Sequence, residues 1–154
     1  MNPVTLRSAT IADLPTLYDF EQGIIQAERP FDATLKEGHI NYYDLKVLVE
    51  SDQAEVIVAA IDGEVVASGY AHILGAKDYL EHEKFAYLGF MFVKPNHRGK
   101  GIIKKILDGL KKWSLSQGIH EIRLEVYEDN QSAVQAYEKA GFKKHMVEMR
   151  LKLD

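Results

Sequence analysis

Residues 98–103 read Arg-Gly-Lys-Gly-Ile-Ile, two glycines one residue apart immediately ahead of a regular helical pattern. Glycine carries no side chain to hold an anion away from the backbone and takes positive φ without steric cost. The first turn of the helix that follows leaves its amides unpaired and carries roughly half a unit of positive charge. Together these make a phosphate-binding arrangement in which main-chain N–H groups supply the geometry and Arg98 and Lys100 add charge. The chemistry to look for therefore uses a phosphate-bearing donor or cofactor. A Gly-x-Gly pair also serves ordinary tight turns, so its surroundings have to decide.

The surroundings are locally basic. Between Lys94 and Lys112 stand seven Lys or Arg (Lys94, Arg98, Lys100, Lys104, Lys105, Lys111, Lys112) against one acid, Asp108, in a 154-residue chain of formal net charge −4. A solvated helix face accounts for such a run about as well as a confined anionic ligand does. The overall acidic balance argues against nucleic acid or a membrane surface as a partner, since both call for a basic excess. The sequence has no Cys, which excludes disulfides, thiolate metal sites and a Cys nucleophile. The six His are scattered, and His82-Glu83 lacks a second His at the spacing of a helical zinc site, so no metal is expected.

Two phosphate-handling classes fit poorly. A nucleotide-hydrolysing phosphate loop needs Lys followed by Ser or Thr after the second glycine, where this chain has Ile102 and Ile103. A dinucleotide-dependent oxidoreductase wants its glycines directly after a strand and a third glycine three residues on; Glu125 could mimic the ribose-binding acid, but Lys104 stands where that glycine belongs.

The elements that must position the loop follow from periodicity. With 46% hydrophobic residues the composition predicts one domain over 1–154 with a real core. Pro3–Arg7 reads as a strand and Thr10–Ile25 as a helix, with Asp13 near its cap, Pro15 in the first turn and Leu14, Leu17, Tyr18, Ile24 and Ile25 on one stripe. Asp32–Tyr43 suggests a shorter helix. Val56–Ile61 and Glu64–Leu74 flank Asp62-Gly63, a hairpin signal. Phe85–Val93 (FAYLGFMFV) is apolar enough for a strand buried on both faces, with Gly89 suggesting a bulge. After the glycine loop, Ile102, Ile103, Ile106, Leu107, Leu110 and Trp113 recur at helical spacing. A strand over Ile122–Tyr127, a short helix over Gln131–Ala140 and a final strand over Phe142–Leu153 complete the chain. Strand, glycine loop, helix, strand is one right-handed crossover between parallel neighbours beside antiparallel hairpin strands, so the sheet is mixed. MNPVTLRSAT has neither a charged n-region nor an apolar h-region, and no apolar run nears the ~20 residues of a membrane span, so the cytoplasm is the expected location.

Val93-x-Pro95-x-x-Arg98-Gly99-Lys100-Gly101-Ile102, a following amphipathic helix, a strand, and then Asn130-x-x-Ala133-x-x-x-Tyr137-x-x-x-Gly141-Phe142 resemble the two signature segments of the GNAT superfamily of acyl-CoA N-acyltransferases. Ile103 departs from the first segment, standing where Gly or Ala is usual. The order of elements is similar to the family's over essentially the whole chain. The resemblance implies an α/β fold: a mixed, mostly antiparallel twisted central sheet flanked by helices, with a splayed parallel strand pair at the acyl-CoA site. It implies acetyl-CoA as co-substrate and an N-acetyltransferase that moves the acetyl group directly to an amine without a covalent intermediate.

The same resemblance implies roles for particular residues. The diphosphate would rest on the amides from Arg98 through Gly99, Lys100, Gly101 and Ile102 to Ile103. The backbone of Met91, Phe92 and Val93 would pair with the pantetheine arm and polarise the thioester carbonyl, while Asn130 would contact that arm, cap its helix, or both. Tyr137 would sit near the sulfur as general acid; packing its ring into the core is the plainer alternative. No acid or His lies on the long apolar strand, whose only polar side chain between Phe85 and Val93 is Tyr87, so a base must come from elsewhere: Glu125, His72, Glu81, His82, Glu83 or a water relay. The acceptor pocket would lie by Ala27-Glu28-Arg29-Pro30-Phe31, with Tyr42 and Tyr43 nearby. Glu28 and Arg29 there suggest an amino-acid-like small molecule or a peptide, unless they form only a surface ion pair. A CoA-binding sensor without chemistry is the rival reading, motivated by the missing base. A monomer and a homodimer are both compatible with the sequence.

Overall fold

The computed structural model describes residues 2–154. In chain order it runs β1 (Val4–Ser8), α1 (Leu14–Glu28), α2 (Leu45–Glu50), β2 (Ala54–Ile61), β3 (Glu64–Gly75), β4 (Lys84–Val93), α3 (Ile102–Ser116), β5 (Ile122–Arg123) and α4 (Gln131–Lys139), with single turns of 3-10 helix at Ile11–Asp13, Arg29–Phe31 and Pro95–His97. The strands lie in the order β1-β2-β3-β4-β5; all neighbours are antiparallel except β4 and β5. This is the mixed, mostly antiparallel sheet that the sequence leads one to expect.

Strand alternation divides the core between the two faces. Val56 and Val58 of β2 face α1 and α2, packing with Leu17, Phe20, Leu45 and Leu48, whereas Ile57 and Ala59 face α3 and meet Ile102, Ile106, Leu107 and Leu110. The β2–β3 turn puts both Asp62 (φ 52°) and Gly63 (φ 80°) in the left-handed region, as a two-residue hairpin turn requires.

One irregularity in β4 shapes the site. Tyr70 pairs with Gly89 and Ser68 with Phe92, so three steps along β4 match two along β3. The extra residue is Phe90, at φ 60°, and it reverses the strand's alternation. Ala86 and Leu88 before it, and Met91 and Val93 after it, face α3; Tyr87, Phe90 and Phe92 face α1. The bulge expected at Gly89 thus exists with its positive φ one residue later. Gly89 is required for another reason: a Cβ there would lie 2.8 Å from the Tyr70 ring and hydroxyl.

Three expectations need correction. Residues 32–43 are not helical; the helix begins at Leu45, behind an Asp44 cap whose carboxylate accepts from Val47 N at 3.3 Å. The buried Glu21 carboxylate takes the amides of Tyr42 (2.7 Å) and Tyr43 (2.8 Å), a long-range bond that replaces helical pairing there. The strand expected over Ile122–Tyr127 keeps ladder partners only at Ile122 and Arg123, because β4 and β5 diverge beyond Tyr87. Finally, Phe142–Leu153 has the alternation of a strand but joins no sheet, and residues 143–154 are exposed.

The start of α1 offers a stability test. The Asp13 carboxylate receives Arg7 Nη1 and Nη2 at 2.7 and 2.9 Å and Thr10 N at 2.8 Å, and the Arg7 bonds foremost hold its pKa down to about 2. A folded-state pKa below the unfolded one stabilises the fold above the unfolded value, and that contribution disappears as pH falls through the folded one. Arg7 is 45% exposed, which screens the pair. Asp13→Asn is expected to cost about 1 kcal/mol at neutral pH, a gap that narrows as pH drops from about 4 toward 2, read from urea unfolding of both proteins across that range.

Candidate active site

The glycine loop is open where a ligand would need it. Gly99 (φ 75°) and Gly101 (φ 76°) both require glycine's conformational freedom, and a Cβ built on either meets nothing within 4 Å. Gly101 is the N-cap of α3, so the unpaired amides of that helix's first turn open onto the same space. A concave pocket of about 130 Å³ is lined there by Val93, His97, Arg98, Gly99, Gly101, Ile102 and Ile103. Backbone donors, a helix N-terminus and room between them suit a compact dianion. Lys100 is exposed and does not line the pocket.

The strand leading into the loop offers free backbone. Lys94 N donates to Val66 O, so by antiparallel alternation the peptide groups of Val93 point away from β3 to the side where β4 and β5 have separated. Arg98 Nε donates to Val93 O at 3.1 Å, tying the loop to the strand end. The side chains of this segment are structural: Phe92 packs on Phe20 with ring centroids 4.7 Å apart, and Met91 packs against the α3 core. Ser68 Oγ fixes the bulge by donating to Phe90 O at 2.9 Å.

Across the gap, Asn130 caps α4, accepting from Ala133 N at 3.3 Å, so the capping role stated for it is present. Tyr137 packs against the core cluster that holds Val93 and Ile102, with its ring edge-on to Phe142. Burial, and secondarily the charge of Glu28, pushes its hydroxyl up to about 12, so the proton is retained across the neutral range.

The side chains gathered at the end of α1 and the loop after it are aromatic and acidic. Tyr43 sits edge-on to Tyr42, Tyr70 and Phe90, and Phe31 stacks on Tyr127. Tyr127 donates to Asp32 Oδ2 at 3.0 Å. Glu28 is half-buried at the end of α1; burial raises its pKa and the Tyr42 hydroxyl partly offsets this. That hydroxyl is itself buried without a partner in hydrogen-bonding geometry. Behind burial as the main cause, the Glu28 charge also raises Tyr42, Tyr43, Tyr87, Tyr127 and Tyr137. One carboxylate thus acts on five hydroxyls carried by the loop after α1, by β4, by the segment after β5 and by α4. Glu125 plays a similar part for Tyr87, whose hydroxyl is raised first by burial and then by that carboxylate, and for Tyr70, pushed up to about 12 by burial and then Glu125.

The structure therefore brings Glu28, Tyr87, Glu125 and Tyr137 into one electrostatic neighbourhood. Arg29 is differently employed: its guanidinium donates to Gln26 Oε1 and to the carbonyls of Lys36 and Gly38, framing the loop. Among the candidate bases, His82 lies 2.7 Å from both Glu121 and Arg123, in a surface network at the start of β5. His72 sits opposite Tyr87 on β3. Two contributors had escaped the sequence. Glu21 fixes the backbone of Tyr42 and Tyr43, and its signal was an acid inside the apolar stripe of α1. His97, in the glycine loop, lines the pocket with its Nδ1 buried and unpartnered.

Comparison with known proteins places this geometry. Residues 17–142 match the family model described as the Acetyltransferase (GNAT) family. Among solved structures, a tetramutant of the BH1408 protein from Bacillus halodurans superposes with a TM-score of 0.85 at 19% identity, over 97% of this chain and 99% of that one. A predicted acetyltransferase from Clostridium acetobutylicum, solved with acetyl-CoA, gives 0.74 at 18% identity over 97% and 96%. The aminoglycoside N-acetyltransferase AAC(6')-Iy in complex with CoA gives 0.77 at 17% identity over 99% and 96%. At these identities the likeness is one of fold.

Proposed function

The chain belongs to the acetyltransferase (GNAT) family, and we propose that within it the protein transfers an acetyl group from acetyl-CoA directly to a primary amine of a small molecule bearing more than one positive charge. The observation that carries the donor half is the open glycine cradle at the head of α3, beside the strand end that β5 has left. Amides from Arg98 to Ile103 hold the diphosphate, and the outward-facing N–H of Val93, whose carbonyl already accepts from Arg98, aligns the pantetheine arm and polarises the thioester carbonyl. Two solved relatives by fold contain acetyl-CoA or CoA, which supports this choice of donor.

The acceptor half rests on charge. Glu28 and Glu125 lie among tyrosines, and Arg29 is occupied by its own loop, so the cleft favours cations over an amino-acid carboxylate. In the reaction the neutral amine nitrogen attacks the thioester carbonyl carbon, the C–S bond breaks, and Tyr137 gives its proton to the departing thiolate. The proton the amine must lose goes to the carboxylates or to water. Positioning alone can lower the barrier by up to about 7–11 kcal/mol, so the protein's chief task is to hold the two reactants side by side.

The test is calorimetric titration with acetyl-CoA and, separately, NADH, followed by thiol release across polyamines, aminoglycosides, amino acids and peptides. The expected result is tight acetyl-CoA binding, no NADH binding, and fastest release with polycationic amines. Acetyl-CoA binding without release on any acceptor would leave a donor-binding sensor instead. Glu28→Gln should raise acceptor KM about 10- to 100-fold, the loss of one charge-assisted contact, with acetyl-CoA affinity unchanged. An unaltered acceptor KM would remove Glu28 from the acceptor site.

A further inference from the structure

Ser68 is a polar residue in the middle of the sheet, fully buried on β3 among the apolar Val66, Ala67, Tyr70 and Ala71. A hydroxyl in such a place is costly unless it is bonded. Its Oγ donates at 2.9 Å to the carbonyl of Phe90, the bulged residue of β4. Phe90 is itself unusual. Among the described residues, only it and the turn residue Asp62 hold a positive φ without being glycine. A bulky residue stays in that region only where its surroundings enforce it, and such enforced strain marks functional sites more often than ordinary strands.

The surroundings enforce it on three sides. A Cβ on Gly69, which lies opposite the bulge without a ladder partner, would stand 2.8 Å from Met91 Sδ. One on Gly89 would meet the Tyr70 ring at the same distance, and one on Gly23 of α1 would come within 2.6 Å of the Phe92 ring. Glycines on α1, β3 and β4 thus leave the room that residues 90–92 need, and the Ser68 hydroxyl fastens the displaced peptide.

That bond fixes a direction. The peptide between Phe90 and Met91 is planar and trans, so a carbonyl drawn toward β3 turns the Met91 N–H away from it. Val93 N–H, two residues on, faces the same way, because Lys94 N is the group that donates to Val66 of β3. Before the bulge the phase is opposite: Ala86 N donates to Glu121 O, on the β5 side. Carried on without the extra residue, that phase would turn the Met91 and Val93 amides back into the ladder with β3. With it, both face the gap between β4 and β5.

We propose that Ser68 is a positioning residue for acyl transfer. Through the Phe90 carbonyl it holds the bulge, and through the bulge it aims the outward amides of Met91 and Val93 at the donor's arm and thioester. This rests on the donor site proposed above. The hydroxyl touches neither reactant, so its effect is on how well the thioester is polarised and not on whether the donor binds.

The thioester carbonyl reports that aim. A hydrogen bond to its oxygen lowers its stretching frequency, and the parent protein is expected to show this shift when it binds acetyl-CoA labelled with carbon-13 at the carbonyl. Ser68→Ala should lose most of the shift and about 10- to 100-fold in kcat with the fastest acceptor. Its affinity for CoA, which has no thioester, should stay near the parent's. Ser114→Ala is the control for a lost buried hydroxyl: Ser114 is likewise buried, and its Oγ donates to Leu110 O at 2.8 Å inside α3. That variant should melt earlier than the parent and keep both the carbonyl shift and the turnover. A Ser68→Ala protein that shifts the thioester as far as the parent does overturns the proposal, as do equal losses of turnover in the two variants. A parent that binds no acetyl-CoA, or binds it without a carbonyl shift, overturns the donor site itself and the role of Ser68 with it.

Discussion

Replacing Tyr137 with Phe is expected to lower turnover by about 10²–10⁴ while acetyl-CoA affinity stays near that of the parent. The substitution removes one oxygen and keeps the ring that packs on Phe142 and the α3 core, so fold and donor site should persist. Only proton delivery to the sulfur, the role proposed for this hydroxyl, would be lost. Burial, with Glu28 behind it, pushes the hydroxyl up to about 12, which keeps the proton in place until a thiolate begins to form. The parent enzyme should therefore show no alkaline decline between about pH 7 and 9 that the Phe variant abolishes. Such a decline, or unchanged steady-state turnover in the variant, would remove Tyr137 from the acid's role and return it to the core.

Gly101→Val should weaken acetyl-CoA binding by at least about 100-fold, since the side chain would occupy the space in front of the first-turn amides. The position sits at φ 76°, where a β-branched residue is strained by roughly 1–2 kcal/mol. Strain alone must be separated from occlusion, and α3 provides the control. Gly118, just past its other end, has φ 75° and likewise meets nothing within 4 Å of a built Cβ. Gly118→Val should lose similar stability in a thermal melt and keep its acetyl-CoA affinity. Equal affinity losses in the two variants would mean that helix destabilisation, and not a blocked cradle, is responsible.

What the sequence made legible was mostly local. Asp62-Gly63 dictates its hairpin because positive φ at two consecutive positions is a property of those residues alone. Gly99 and Gly101 likewise announce their loop, and the Ile102–Trp113 stripe its helix. What escaped depends on distant partners. Residues 32–43 look helical until Glu21, far back in α1, claims the amides of Tyr42 and Tyr43. Arg29 reads as a ligand contact until the carbonyls of Lys36 and Gly38 take its donors. Phe142–Leu153 has a strand's alternation, but alternation alone does not supply a neighbour to pair with, and the segment joins no sheet. The proposed acceptor side was the least legible part, because the charges of Glu28 and Glu125 bear on tyrosines that lie far from them in sequence, on β4, after β5 and on α4.

On the roles proposed for Tyr137 and for the acceptor side, the charge of Glu28 links the two reactants. Its negative charge helps to keep the Tyr137 proton from leaving, so a cation seated upon it cancels that restraint and makes the phenol a readier donor. On the proposed roles, an unoccupied acceptor side would leave the thioester guarded, and the arrival of a cationic amine would release the guard. The signature is a slow hydrolysis of acetyl-CoA by the enzyme alone, unrelieved by neutral molecules that merely fill the cleft.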